Sequence, residues 1–404
     1  MPIDKETGYI MNRLTLSKAG VLALLLITSL AGHGKTGTQV GLFEFRPSLG
    51  ISRTSDDNLY AEPNNVTEER VTRYTPALSF YGRKGHNTYA FSYEGDFGFH
   101  DKEDFQDYDD HAFSMDLKFD GAYNDLDIGV VYAKLHEKLG DGASEGPLAS
   151  LRSRYDQYDL KRANGIWEFG AESVAGFQLS ADRSYIDYTN NLAYTQMLSR
   201  EEDNYGGRLY FRASDSAKIF LEQTRKNVRY VSDSIPWSLD NKEDGYAIGF
   251  EWFVTDQFSA IVKGGELQKD FETKDPALAQ YDLADWDAEV SMEVMPGSVI
   301  TLVSSRYIEE RRTLDTFVVV RENSLSWRHA LSEALTVSVS VLRGTDVLPN
   351  ILRVDEQEEA GILFEYDIGD SVVMGFGYQY QDNDSNIDLF DYDRETFYFE
   401  ITIY

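Results

Sequence analysis

The sequence predicts an all-β protein, a transmembrane antiparallel β-barrel of about eighteen strands with short turns at one end and longer loops at the other. Three observations predict it. Apolar and polar residues alternate through nearly every segment after residue 40, the period-two pattern of strands with one apolar face. The connections between these segments alternate in length, and a secretory leader precedes them. Composition narrows the choice further. The chain has 26 Tyr, 23 Phe and 5 Trp among 404 residues, too many aromatics for a solvated, unfolded chain. It has no Cys, which excludes disulfides, thiolate metal sites and thiol catalysis. Its 69 Asp and Glu against 38 Lys and Arg give a formal charge of −31; a nucleic-acid partner would need a basic footprint and is not expected.

Residues 11–32 read MNRLTLSKAGVLALLLITSLAG. Arg13 and Lys18 form a positive start, Ala19 to Leu30 an apolar core, and Ser29 and Ala31 the small residues of a cleavage site. The uncharged run is only about 14 residues, whereas a helical span needs roughly 20. The expected organisation is therefore a signal peptide at 1–31 (with Met11 as an alternative start), a short lead at 32–39, and a barrel at 40–404.

The strands follow in order. Phe43, Phe45, Leu49 and Ile51 share one parity, and Glu44, Arg46, Ser48 and Ser52 the other. The same stripes run through Tyr246, Ile248, Phe250 and Trp252, then Trp286, Ala288, Val290, Met292 and Val294, and finally Phe397, Phe399, Ile401 and Ile403. Short turns are expected at 83–87, 120–124, 170–175, 214–217, 254–257, 295–298, 329–334 and 368–371. Longer loops are expected at 55–71, 101–108, 139–153, 189–202, 232–242, 271–280, 312–316, 346–354 and 382–392. Eight turns and nine loops separate eighteen strands, and both ends of the barrel fall on the short-turn side. A soluble sandwich would have similar loops at both ends; the asymmetry, the leader and the aromatic stripes fit the outer membrane of a Gram-negative bacterium, reached by secretion through the inner membrane, with short turns in the periplasm. Closure removes sheet edges and pairs every backbone group where lipid offers no partner. Eighteen strands leave a water-filled lumen.

Parity assigns Glu94, Asp96, Lys118, Asp127, Arg208, Tyr210, Arg212, Glu251, Asp285, Asp287, Glu289, Glu293, Gln379 and Glu400 to the inner face as lumen candidates. No catalytic residues and no cofactor are expected. His100, His111 and His136 fall near outer strand ends, and Asp109 shares a face with His111 whereas Asp110 does not, but no nucleophile elbow, phosphate loop or zinc-protease motif accompanies them. Asp382, Asp384, Asn386 and Asp388, with Asp393 twelfth from Asp382, imitate a calcium loop; Ile387 stands where its sharp turn requires Gly, so no metal is expected there.

Two stretches carry a family resemblance. RPSLGISRTSDDNLY at 46–60 ends a strand in an Asp-Asp-Asn step. The C-terminal third runs from SRYIEERRT at 305 to a Tyr-Asp-Arg step at 392–394 entering the last strand. In both, the chain resembles the outer-membrane β-barrel porin family associated with exopolysaccharide and capsule export (EpsL-like). The resemblance implies a conduit carrying a polysaccharide across the outer membrane, fed by a periplasmic export protein. The alternatives are a general or substrate-specific diffusion porin, whose constricting loop would be 55–71 or 139–153, and a barrel for surface display or adhesion. Other expected partners are outer-membrane lipid, lipopolysaccharide and the barrel assembly machinery. One departure is that Tyr404 is out of phase with the Phe397–Ile403 stripe that such machinery reads.

Overall fold

The computed structural model describes residues 37–404 apart from 141–143, 150, 153, 171–172, 232–238, 256, 273–279 and 311–316; the expected signal peptide lies outside the described residues. The strands are β1 (Thr38–Val40), β2 (Phe43–Asp56), β3 (Glu69–Lys84), β4 (Asn87–His100), β5 (Tyr108–Asp120), β6 (Asn124–His136), β7 (Gln157–Phe169), β8 (Ala175–Tyr188) and β9 (Arg200–Ser214). They continue as β10 (Ala217–Tyr230), β11 (Asn241–Thr255), β12 (Phe258–Phe271), β13 (Gln280–Met295), β14 (Ser298–Glu310), β15 (Phe317–Ala330), β16 (Leu335–Leu348), β17 (Arg353–Ile368), β18 (Val372–Ser385) and β19 (Tyr392–Ile403). From β2 onward each pairs antiparallel with its neighbours in sequence, and β19 pairs with β2, so eighteen strands close into a barrel.

The strands run longer than the period-two stripes require. β18 continues to Ser385, so Asp382 and Asp384 are strand residues and not loop ligands. The lead is not wholly separate either. β1 turns back and pairs with Phe43–Phe45 of β2. That edge of β2 is the one β19 uses from Leu49 to Asp56, because the other edge is filled by β3 over the full length. β1 thus fills the part of the seam that β19 does not reach.

Apolar parity faces outward. Leu209, Leu221 and Ile248, side by side on β9, β10 and β11, are 65%, 59% and 60% exposed. A contiguous apolar band of this kind is untenable in water and suits a hydrocarbon surround. Cross-strand rings reinforce it, with centroids 4.9 Å apart for Phe45–Phe80 and Tyr93–Phe113 and 4.7 Å for Tyr378–Phe397. Polar parity lies on the concave side, where side chains reach past a neighbour: Arg208 on β9 bonds Glu251 on β11 at 2.9 Å.

The buried apolar clusters sit at the long-loop end. One joins Leu59, Tyr60, Leu139, Ala149 and Tyr155; others gather around Phe271, Ile308 and Phe317 and around Tyr188 and Leu198. Among the described residues, the buried apolar clusters thus gather at one mouth, in loops and in the strand ends that carry them.

Candidate functional site

The seam carries the first group of functional side chains. Asp56 ends β2 and Arg394 is the third residue of β19, and their side chains form a buried two-pronged ion pair. Asn58 donates to the Asp393 carbonyl at 2.9 Å, and the Glu395 amide donates to the Asp57 carboxylate at 2.7 Å. The Asp-Asp-Asn and Tyr-Asp-Arg steps, far apart in sequence, are two halves of one clasp.

The second group is the loop between β6 and β7, residues 137–156. Leu139 drops into the apolar cluster under the loop that follows β2. Tyr155 meets His100 at 3.1 Å and packs edge-on against Tyr108. Asn190 and Asn191 reach over from the loop after β8 and donate to the Tyr155 carbonyl and the Asp156 carboxylate at 2.8 and 2.6 Å. Burial pushes the Asp156 carboxyl above its ordinary range, with the Asn191 hydrogen bond and Arg152 pulling the other way. It also pushes the Tyr155 phenol well up. The guanidinium of Arg152 lies 3.9 Å from the Tyr194 ring centre.

Beyond these anchors the loop meets β17, on the other side of the β2–β19 seam. Glu145 accepts a hydrogen bond from Arg353, the first residue of β17, at 2.8 Å. Arg353 is in turn held by Asp355 and stacks 3.6 Å from the Phe390 ring centre. Gly146 sits against that ring: a Cβ there would lie 2.8 Å from Phe390 and 3.0 Å from the Leu389 carbonyl, at a φ of +53°. Space and backbone both demand glycine here.

A third group lines the wall below the opposite rim. Lys269 bonds Glu243 at 2.6 Å, Glu310 at 2.5 Å and Asn241 at 2.8 Å. Lys226 pairs with Glu202 at 3.1 Å, and Tyr230 donates to Glu310 at 2.8 Å. The cluster is buried and spans β9 to β14, so it braces the wall against inward collapse.

The fourteen lumen candidates all occupy the polar parity of their strands by pairing register. Arg208 and Glu251 are brought together, and Glu222 joins them at 2.6 Å. Asp96 pairs with Arg73. Lys118 stands opposite Asp127, with Asp120 at 3.8 Å. Tyr210 and Arg212 share the wall of β9, Tyr210 donating to the Phe169 carbonyl at 3.1 Å. Asp285, Asp287 and Glu289 form an acidic row on β13. Glu293 instead accepts from the Gly297 amide at 2.9 Å and belongs to the turn. Glu94 stands alongside Asp96 on β4. Gln379 faces Glu359 at 3.5 Å, and Glu400 accepts from Thr402 at 3.0 Å. The calcium-like residues do not converge. Asn386 spends its amide on the Leu352 carbonyl and the Val354 amide, Asp382 faces Asp393 across β18 and β19, and Asp388 opens a short turn. Among the described residues no group of three suits a metal ion.

Two features escaped the sequence. His136 pairs with Asp110 at 2.9 Å, a cross-strand contact that adjacency along one strand does not reveal. Glu145 and Arg353 are separated by 208 positions, and no local pattern links them.

A family model described as "Putative beta-barrel porin 2" matches residues 31–404. No curated protein matches the sequence. Among solved structures, OpdO of Pseudomonas aeruginosa is 12% identical, covering 92% of this chain and 98% of its own, with a TM-score of 0.48. OpdK of the same organism, solved with vanillate, is 10% identical over 89% and 98% at 0.49. OccAB3 of Acinetobacter baumannii is 9% identical over 90% and 99% at 0.48.

Proposed function

The chain belongs to that porin family, and on this premise we propose that it is an outer-membrane diffusion channel for small hydrated solutes, selective by a constriction at its outer mouth. The observation that carries the reading is the tie between Glu145 of the 137–156 loop and Arg353 on β17, seven strands round the ring from β6, which on this reading draws the loop over the lumen. A loop tied across the lumen restricts size, and charged side chains at the restriction select by sign and shape. The acidic row of β13 adds a preference for cations or neutral solutes over anions. A barrel wall with these features needs no chemistry of its own; the family is one of porins, and His136 and Asp110 meet across β5 and β6 beside the Tyr155 ring.

The test is single-channel recording in a planar bilayer, with solute uptake into vesicles for sugars and amino acids of increasing size. A stable conductance with a sharp size cut-off is expected; uptake that ignores size would overturn the reading. Polysaccharide export, implied by the family resemblance, is the second reading. Hydroxyls on the inner wall favour it, such as the pairs Ser92–Ser114 at 2.7 Å and Ser291–Thr301 at 3.2 Å, since these can bond sugars. It requires the loop to leave β17, and loss of surface polysaccharide on gene deletion would select it.

A further inference from the structure

The outward face of β13 to β17 departs from the plain apolar band near its outer edge. Three rows follow from the pairing register. The lowest runs Val290, Leu302, Leu325, Val341 and is apolar. The next places Ser304 beside Asn323 and Asn323 beside Arg343. The uppermost places Trp286 beside Arg306 and Arg306 directly opposite Arg321. Ala288, Ser304 and Asn323 in the middle row are small enough to leave a groove of about 610 Å³, walled by Leu302, Leu325 and Val341 below and by Arg343 at the end of that row.

The two arginines are the unexpected feature. Like charges directly opposite on neighbouring strands repel, and this chain carries a formal charge of −31, with carboxylates plentiful enough to pair them. Yet among the described residues neither Arg306 nor Arg321 makes a salt bridge to a carboxylate. Arg306 donates to the Ala284 carbonyl at 3.2 Å, and both guanidiniums lie within 6 Å of the Trp286 ring centre, at 5.7 and 5.9 Å. On the outward rim of β8 to β11, by contrast, basic residues are matched: Arg183 and Arg229 with Glu201 and Asp203, Arg225 with Asp244.

We propose that Arg306 and Arg321, with Arg343 at the groove's edge, bind the phosphate of an acylated phosphoglycolipid of the outer leaflet, one acyl chain of which occupies the groove. Two adjacent guanidiniums present donors in the fork geometry that phosphate oxygens accept, and the anion relieves the repulsion between them. The apolar floor lies below the charged row, in the order in which such a lipid presents headgroup and chain. The arginines stand near the long-loop ends of β14 and β15, which faces the outer leaflet. Trp286 beside them is placed as an interfacial aromatic. Arg343 contributes less than the other two, since Glu356 and Glu358 stand 3.4 and 3.6 Å away.

The inference does not depend on the channel reading. It is tested by titrating the purified, detergent-solubilised barrel with bisphosphorylated lipid A, with its dephosphorylated form and with phosphatidylglycerol, reading bound lipid by native mass spectrometry. Binding of the bisphosphorylated lipid about tenfold tighter than of the other two is expected. Equal binding of the dephosphorylated form would overturn the phosphate assignment, and equal binding of phosphatidylglycerol would reduce the site to an unspecific anionic patch and overturn it too. The variant R306Q/R321Q should lose the discrimination while keeping the gel shift of a folded barrel; retained discrimination refutes the proposal. Ser304→Trp, which fills the groove from its middle row, should weaken lipid A binding while leaving conductance unchanged, and undiminished binding would refute the acyl-chain placement.

Discussion

Asp56 and Arg394 hold together two strands that are adjacent in space and 338 positions apart in sequence. Both are buried, so the pair gains stability only while both partners are present; removing one leaves an uncompensated charge, at a cost of about 3–5 kcal/mol. Arg394→Gln should therefore lower the temperature at which the folded barrel band disappears in a heat-modifiability gel, and D56N/R394Q should recover much of the loss by removing the orphaned carboxylate. A double variant as unstable as the single would show that Asp56 is not the cause. Arg353 poses a different question, because its contact with Glu145 fixes a loop and not the wall. Glu145→Gln, which leaves Arg353 paired with Asp355 on the wall, should cost the barrel less heat stability than Arg394→Gln and raise both mean conductance and open-channel noise in bilayer recordings. A quieter, unaltered channel would dissociate the Glu145 contact from the constriction.

The loop between β6 and β7, the constriction on the proposed reading, rests on apolar burial at Leu139 and Tyr155 as much as on its ion pair. Replacing residues 140–152 by a short Gly-Ser turn should increase conductance roughly two- to threefold, given that an eighteen-strand wall by itself leaves an aqueous channel; unchanged conductance would place the narrowest point elsewhere. The wall strands were legible in the sequence because each writes its two faces in alternate residues, and because a meander pairs each strand with the next. The Trp286, Ala288, Val290, Met292 stripe alone gives β13 its outward face. The inward fold of the loop was not legible. Glu145, Gly146 and Arg353 are ordinary residues in their own neighbourhoods, and their meeting depends on the diameter of the closed barrel. The calcium-like spacing at Asp382 has a plain origin: an alternation of oxygen-bearing residues is what the outward parity of a strand rising above the lipid also produces. His136 and Asp110 illustrate a further gap, since a contact across a strand pair needs the register and not merely the parity.

At the scale of the whole molecule the charge of −31 acts through a wall that water fills. The carboxylates of Asp285, Asp287 and Glu289 stand in one inward row on β13. The channel should be cation-selective, most strongly at low ionic strength, because screening shortens the reach of these charges to about 8 Å at physiological salt. The triple variant D285N/D287N/E289Q should move the reversal potential in a tenfold KCl gradient toward zero; an unmoved value would assign selectivity to the mouth alone. Finally, β19 and β2 share eight paired positions, fewer than any other two neighbouring strands of the wall, and closing that pairing joins the most distant parts of the chain. The ring therefore has a built-in parting line. During insertion it is the last join to form, since the longest loop closure is completed there, and in the finished barrel it is where backbone amides should exchange with heavy water first. The ion pair at its outer end then acts as a stop that keeps a thermally opened join from unzipping along its length.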